Sequence, residues 1–258
     1  MIGVDPFVPQ LGFGRGERDN LTGGGGSDTF VLGTSTEVFY DAQGNSDFAL
    51  INDFNQGEDF IELPANPQSF NVTEIADAGQ LLSDAQVVPS GSATLNSING
   101  TISSNNDVDL FQINLTAGGT FSATTVGGAA FDTQLFLFDA NGVLLDQNDD
   151  SNNTFQSTLP ESPLTSLDAG TYFLGISSFN NDPSGSPLSG FTDTGFSSGS
   201  YTIALTGVEG AAPTFSLGAS RDGLPQGTGI SFGDDLIGVV AGIAPSQLSL
   251  GGGDFVFV

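Results

Sequence analysis

The chain contains no cysteine, no histidine and no lysine, and its only bases are Arg15, Arg18 and Arg221. Each absence closes a class of chemistry. Without cysteine there are no disulfides and no thiolate to act as nucleophile or ligand. Without histidine the usual general base and the commonest transition-metal ligand are gone, and with lysine missing too only a carboxylate is left to serve a nucleophile as base. No window approaches eighteen consecutive apolar residues, so no membrane-spanning helix is expected. Met1 to Gln10 lacks a basic stretch followed by an apolar one, so an ordinary N-terminal signal peptide is not expected either.

What the chain does contain is acid: 30 Asp and Glu in 258 residues, a formal charge of −27, with 23 Asp against 7 Glu. Acidic helix surfaces favour Glu, whereas Asp competes for backbone hydrogen bonds and prefers turns, so this acidity belongs to turns. A surface of one sign repels nucleic-acid phosphates and anionic lipid, so neither is an expected partner. Its natural partner is a cation, and with no sulfur or imidazole donors a metal must be held by oxygen, which points to calcium. Hydrophobic residues at 38%, with 22 Phe, suffice for the cores of one or two domains.

Apolar residues recur with period two, in short runs bounded by Gly, Asn, Asp, Ser and Pro, the pattern of strands and turns. Phe111–Leu115 and Tyr201–Leu205 alternate in this way, and Gly119–Val126, Asp132–Asp139, Val143–Gln147, Phe155–Leu159 and Thr171–Phe179 lie between them. Short strands with frequent turns predict an antiparallel β-sandwich of jelly-roll-like form, with Leu135-Phe136-Leu137-Phe138, apolar on both faces, in a central strand. Ala76–Asn106, richer in Ser, Asn and Ala, is expected to lead into it, and Gly207–Pro213 to end it. Gly229–Phe232, Leu236–Val240, Gln247–Leu250 and Phe255–Val258 are expected to be further strands, making the fold class all-β.

Two nine-residue units stand near the start: Gly14-Arg15-Gly16-Glu17-Arg18-Asp19-Asn20-Leu21-Thr22 and Gly23-Gly24-Gly25-Gly26-Ser27-Asp28-Thr29-Phe30-Val31. The second fits G-G-x-G-x-D-x-U-x throughout, and the first keeps the initial Gly, the Asp and the apolar residue. Glycines let backbone carbonyls converge on an ion, Asp supplies carboxylate oxygen, and Leu21 and Phe30 pack inside. The alternative for Asp19 and Asp28 is to cap Gly-rich turns. The pair, followed by Ile51-Asn52-Asp53-Phe54-Asn55-Gln56-Gly57-Glu58-Asp59-Phe60-Ile61-Glu62-Leu63, resembles the RTX (haemolysin-type) calcium-binding repeat family. That resemblance implies a short β-roll over 1–71, calcium ligands among Asp19, Asp28, Asp53 and Asp59, and export by type I secretion machinery. Leu224–Ile230, Asp235–Val240 and Asp254–Val258 look like the end of such a module, so 209–258 is expected to complete it. Asp254 followed by Phe-Val-Phe-Val fits the acidic-then-apolar ending of a type I secretion signal.

Asn106-Asp107-Val108-Asp109-Leu110-Phe111, Phe131–Asp139, Asn148-Asp149-Asp150 and Ala169–Ile176 look like the bacterial pre-peptidase C-terminal (PPC) domain, a non-catalytic β-sandwich, over 72–208. In this domain Asp107, Asp109, Asp149 and Asp150 are the acidic candidates for calcium, with Asx-type turn stabilisation as the alternative. Catalysis is not expected: the adjacent pairs Asp149/Asp150 and Asp234/Asp235 would point to opposite faces of a strand. The expected function is that of a secreted, calcium-binding, non-catalytic protein. The alternative is a cell-surface adhesin whose sandwich binds an extracellular polysaccharide or protein through exposed aromatics such as Phe179, Phe191 and Phe196.

Overall fold

The computed structural model describes residues 14, 16–41, 46–65, 67–116, 120–151, 153–161 and 167–258. Met1–Gln10, Arg15 and Gly119, which carry parts of the expectations above, lie outside them. The chain divides into a discontinuous unit, Met1–Thr73 with Ala212–Val258, and an inserted unit, Glu74–Ala211. Both are built of strands, and the fold class is all-β.

The first segment supplies β1 (Arg18–Leu21), β2 (Thr29–Val31), β3 (Phe48–Ile51), β4 (Phe60–Leu63) and β5 (Ser69–Thr73). The inserted unit supplies β6 (Gln86–Val87), β7 (Ala93–Ile102), β8 (Val108–Leu115), β9 (Ser122–Thr124), β10 (Thr133–Asp139), β11 (Leu144–Asn148), β12 (Thr158–Leu159), β13 (Gly170–Ser178), β14 (Pro183–Ser184), β15 (Gly190–Phe191), β16 (Gly199–Thr206) and β17 (Val208–Gly210). The last segment supplies β18 (Phe215–Ala219), β19 (Gly227–Phe232), β20 (Asp235–Ala241) and β21 (Phe255–Phe257).

In the discontinuous unit β1 to β4 go to alternate sheets, while β18, β19 and β20 are neighbours in one. One sheet runs β1-β3-β20-β19-β18 and the other β2-β4-β21. β1 lies parallel to β3, with Arg18 opposite Phe48, and β2 lies parallel to β4, with Thr29 opposite Phe60. The two nonapeptides therefore give one strand to each sheet and do not pair with each other. Leu21 and Phe30 are buried, and Phe48, Leu236 and Val239 pack together. Gly24 and Gly26 hold positive φ (92° and 108°), backbone that residues with a Cβ avoid, which is why this turn is written in glycine.

The inserted unit has a continuous strand path, β11-β10-β13-β8-β17-β7-β16-β9-β12, antiparallel throughout. Its far ends are tied by a buried hydroxyl cluster: Thr125 Oγ1 lies 2.7 Å from Thr133 Oγ1, and Ser157 Oγ donates to the Thr133 carbonyl at 2.6 Å. β10 lies between β11 and β13 and buries both faces, Leu135 and Leu137 on one side and Phe136 and Phe138 on the other. Val108, Leu110, Phe136, Phe138 and Phe173 form a core covered by Leu188 and Phe191. Phe191 is thus a core residue and not an exposed platform.

Two expectations need correction. Gln247–Leu250 is not a strand: Pro245–Gln247 is a short 3-10 helix followed by a turn, as proline at its first position favours. Ala76–Asn106 is more than a lead-in, because it contains β6 and the ten-residue β7. β7 escapes composition because it buries Ser97 and Asn99 beside Leu95, Ile98 and Ile102.

Candidate metal centre

The main acidic constellation in the inserted unit forms where its first residues fold back on β8. β6 runs parallel to β8, Leu110 N–H donates to the Gly79 carbonyl at 3.1 Å, and the Gln80 side-chain amide donates to the Asn106 carbonyl at 3.2 Å. These bonds carry Asp77 and Glu74 to the head of β8. There, one carboxylate oxygen from each of Asp77, Asp107 and Asp109 lies within 4.8 Å of the others.

Asp77, Asp107 and Glu74 are held by backbone N–H groups and Asp109 by a tyrosine hydroxyl. Asp77 accepts from Gly79 N–H at 3.0 Å, and Asp107 accepts from Ser103 N–H at 2.5 Å, both local turn bonds. Glu74 accepts from Thr101 N–H at 2.8 Å and from Ala78 N–H at 3.3 Å. Asp109 is the second residue of β8, and alternation puts it on the same face as Phe111 and Ile113. It is 0% exposed. Its Oδ2 accepts from the Tyr201 hydroxyl at 2.7 Å, while its Oδ1 is buried and receives no hydrogen bond. Gly100 makes the close approach possible, since a Cβ there would lie 2.3 Å from the Tyr201 hydroxyl oxygen and 2.7 Å from Glu74 Oε2.

Burial pushes the Asp109 carboxyl up to about 9; the charge of Glu74, a side-chain hydrogen bond shared with Glu74 and, less strongly, the charge of Asp107 act in the same direction, against the hydrogen bond from Tyr201. Tyr201 is raised well above its ordinary value, by burial first and then by Asp109. No lysine, arginine or histidine occurs between Glu74 and Ala211, so the inserted unit contains no basic side chain to balance these acids. Carboxylates so crowded require a bound proton or a cation. An all-oxygen donor set with one acceptor left over in its most buried member fits a hard divalent ion such as calcium, and offers nothing to a soft one.

The other expected ligands are placed differently. Asp53 directs both carboxylate oxygens at backbone, accepting from Gly23 N–H at 2.9 Å and Gly24 N–H at 2.8 Å; these bonds, that from Gly24 first, hold its carboxyl below the usual range. Asp59 is buried and does the same with Asp28 N–H at 2.9 Å and Asn55 N–H at 2.8 Å. Asp19 accepts from the Tyr40 hydroxyl at 2.7 Å. Asp28 retains one buried oxygen without a partner, facing Gly23. Asp149 and Asp150 lie beside Asp132, whose carboxyl is raised by burial and then by their charges; Asp149 also accepts from Asp150 N–H at 2.9 Å. Of the eight residues expected from sequence, only Asp107 and Asp109 belong to the convergent group. Asp77 and Glu74 were not foreseen, and the one local signal was the Asp-Ala-Gly turn at Asp77–Gly79.

Residues 107–178 match the family model of the bacterial pre-peptidase C-terminal (PPC) domain. The match begins at Asp107, lies wholly within the inserted unit and does not extend to the nonapeptides. Among solved structures, the chain is similar to the PPC domain of a collagenase from Bacillus anthracis, at 12% identity and a TM-score of 0.28, covering 46% of this chain and 92% of that one. No curated protein matches. The PPC match includes Asp107 and Asp109, whereas Glu74 and Asp77 come from the segment ahead of it.

Proposed function

We propose that the inserted unit is a non-catalytic, calcium-binding β-sandwich of an extracellular protein, its ion held by Asp77, Asp107, Asp109 and Glu74. The observation that carries this reading is the unpartnered, fully buried Oδ1 of Asp109 in a domain without a basic side chain. Calcium supplies charge neutralisation there and requires no chemistry from the protein. Asp109 and Asp107 provide buried oxygen, and half-buried Glu74 and exposed Asp77 close the set from the segment ahead of β6. Binding would fasten Glu74–Gly79 to the head of β8 and so couple the ion to folding. The match to the PPC family supports both the non-catalytic and the extracellular parts of this reading.

For the discontinuous unit the companion reading is an RTX-type roll exported by type I secretion. Its support is the alternation of β1 to β4 between two sheets and the unpartnered oxygen of Asp28. Asp254 precedes β21, which pairs with β4, so the secretion-signal segment is also a structural strand.

The experiment is calorimetric titration of the full chain with calcium, repeated with Asp109→Asn. Binding to the wild type that is weakened or lost at the inserted-unit site in the variant is the expected result. Identical isotherms, or no binding to either, would overturn the assignment.

A further inference from the structure

At the same end of the sheet as the head of β8, where β10 begins and β11 and β13 end, the inserted unit holds a cavity of about 310 Å³. We infer that it receives a cationic side chain, a guanidinium, presented by a partner protein. This goes beyond the calcium reading and does not depend on it.

The charged part of the lining is all carboxylate, set among side-chain amides. Gln134 is 7% exposed, and its side-chain amide donates to Asp182 Oδ1 at 3.1 Å. A carboxylate only accepts, so that bond fixes the amide's orientation and leaves Gln134 Oε1 as the acceptor, which is buried and without a partner. Asp149, Glu161 and Asp182 add carboxylates to the wall. Two of the lining amides donate within the unit: Asn148 Nδ2 bonds the Asp150 carbonyl at 2.9 Å, and Asn180 Nδ2 bonds Thr194 at 3.0 Å, while Gln147 lines the cavity from an exposed position. Three carboxylates without a basic side chain among the lining favour a cation over a neutral sugar, and a guanidinium offers donors alone and matches a carboxylate beside an amide oxygen.

The rim supplies the second half of the recognition. Phe179, which lines the cavity, stacks on Phe196 with ring centroids 6.1 Å apart and planes at 27°, and Phe196 is 69% exposed. These rings are held in place. Asp182 N–H donates to Thr192 Oγ1 and Asp193 N–H to Asn181 Oδ1, at 3.0 and 2.9 Å, and Phe196 N–H donates to Ser178 Oγ at 3.1 Å. An exposed aromatic stack beside carboxylates is the environment in which a guanidinium gains both ion pairing and cation–π contact. The absence of any basic residue in this unit leaves nothing of its own to fill the role.

The test uses the full chain, isotopically labelled, and a tripeptide probe, acetyl-Gly-Arg-Gly-amide, with its citrulline analogue as the uncharged isostere. The arginine peptide is expected to shift the Gln134 side-chain amide resonance, and the citrulline peptide to leave it in place. Asp182→Asn, which keeps an oxygen for Gln134, should weaken binding about tenfold, the loss of one charged hydrogen bond. Phe196→Ala should weaken it roughly two- to fivefold. Asp84→Asn, an exposed acid outside the cavity, should leave it unchanged. Equal binding of the citrulline peptide, equal weakening by Asp84→Asn, or the same Gln134 shift with calcium alone or with neutral oligosaccharide would each overturn the proposal.

Discussion

The two units solve the same problem, an excess of aspartate, in opposite ways. In the discontinuous unit Asp53 and Asp59 each turn both oxygens toward backbone N–H groups of a Gly-rich or Asn-containing turn, so the acid serves as a cap. In the inserted unit Asp77, Asp107 and Asp109 turn oxygens toward one another, and the most buried of them keeps an acceptor unfilled. The composition is alike, and the difference lies in what the backbone presents. A turn with free amides consumes a carboxylate locally, whereas a β-strand has spent its amides on the ladder and leaves its aspartate to find a partner elsewhere. The first arrangement is complete as it stands; the second calls for a bound proton or a cation.

The largest effect that sharpens this contrast is a pH dependence in the discontinuous unit. Asp41 is buried, accepts from Asn71 Nδ2 at 2.9 Å, and has its carboxyl pushed up to about 7, burial being the main cause. A folded value above the unfolded one means its stabilising contribution is whole below the unfolded value near 4 and is lost as pH rises toward and through 7. The span corresponds to about 4 kcal/mol as an order of magnitude. Denaturant unfolding at a series of pH values should show this unit weakening between pH 4 and 8, and Asp41→Asn should flatten that slope. An unchanged slope in the variant would place the loss elsewhere. Calcium should alter it little, because the main cause is desolvation, opposed by the Asn71 hydrogen bonds, and the charges of Asp47 and Glu37 add only smaller contributions.

Calcium should act on the inserted unit instead. At free calcium about 100-fold above its Kd the stabilisation is roughly 2.7 kcal/mol, a rise in Tm on the order of 10 °C for a domain of this size. Differential scanning calorimetry should resolve it as the shift of one transition. Asp109→Asn should remove the shift while raising the melting point of the calcium-free protein, since the amide is neutral without taking up the proton that a carboxyl buried beside Glu74 must bind on folding. A variant that still responded fully would move the ion to another site.

How far the sequence disclosed all this depended on the range of the interaction. β8, β10, β13 and β16 were legible because Phe111–Leu115, Leu135–Phe138, Thr171–Phe179 and Tyr201–Leu205 carry their periodicity within a few residues. Asp107 and Asp109, which the structure brings together with Asp77, were singled out through the resemblance of Asn106–Phe111 to the PPC domain. Asp77 and Glu74 were not, because their placement depends on β6 finding β8 in parallel register, Gln86 opposite Phe111, about which local pattern is silent. The capping role of Asp53 hinges on a similar long reach to Gly23 and Gly24, so ligand and cap could not be separated by spacing alone. β7 stayed hidden because a strand that buries serine and asparagine departs from the alternation that marks the others.

The smallest effect tests the capped side of the comparison directly. Asp59 is 2% exposed and receives the N–H groups of Asp28 and Asn55 on separate oxygens. In Asp59→Asn one oxygen becomes an NH2 group, and whichever way the amide turns, one backbone N–H faces a donor. The expected loss is about 1 kcal/mol, the cost of a buried donor left without an acceptor. If Asp59 is a cap, thermal unfolding should show the same loss in calcium and in chelator. If it is instead a ligand of an RTX-type roll, the loss should appear only in calcium, and the two units would then share one strategy after all.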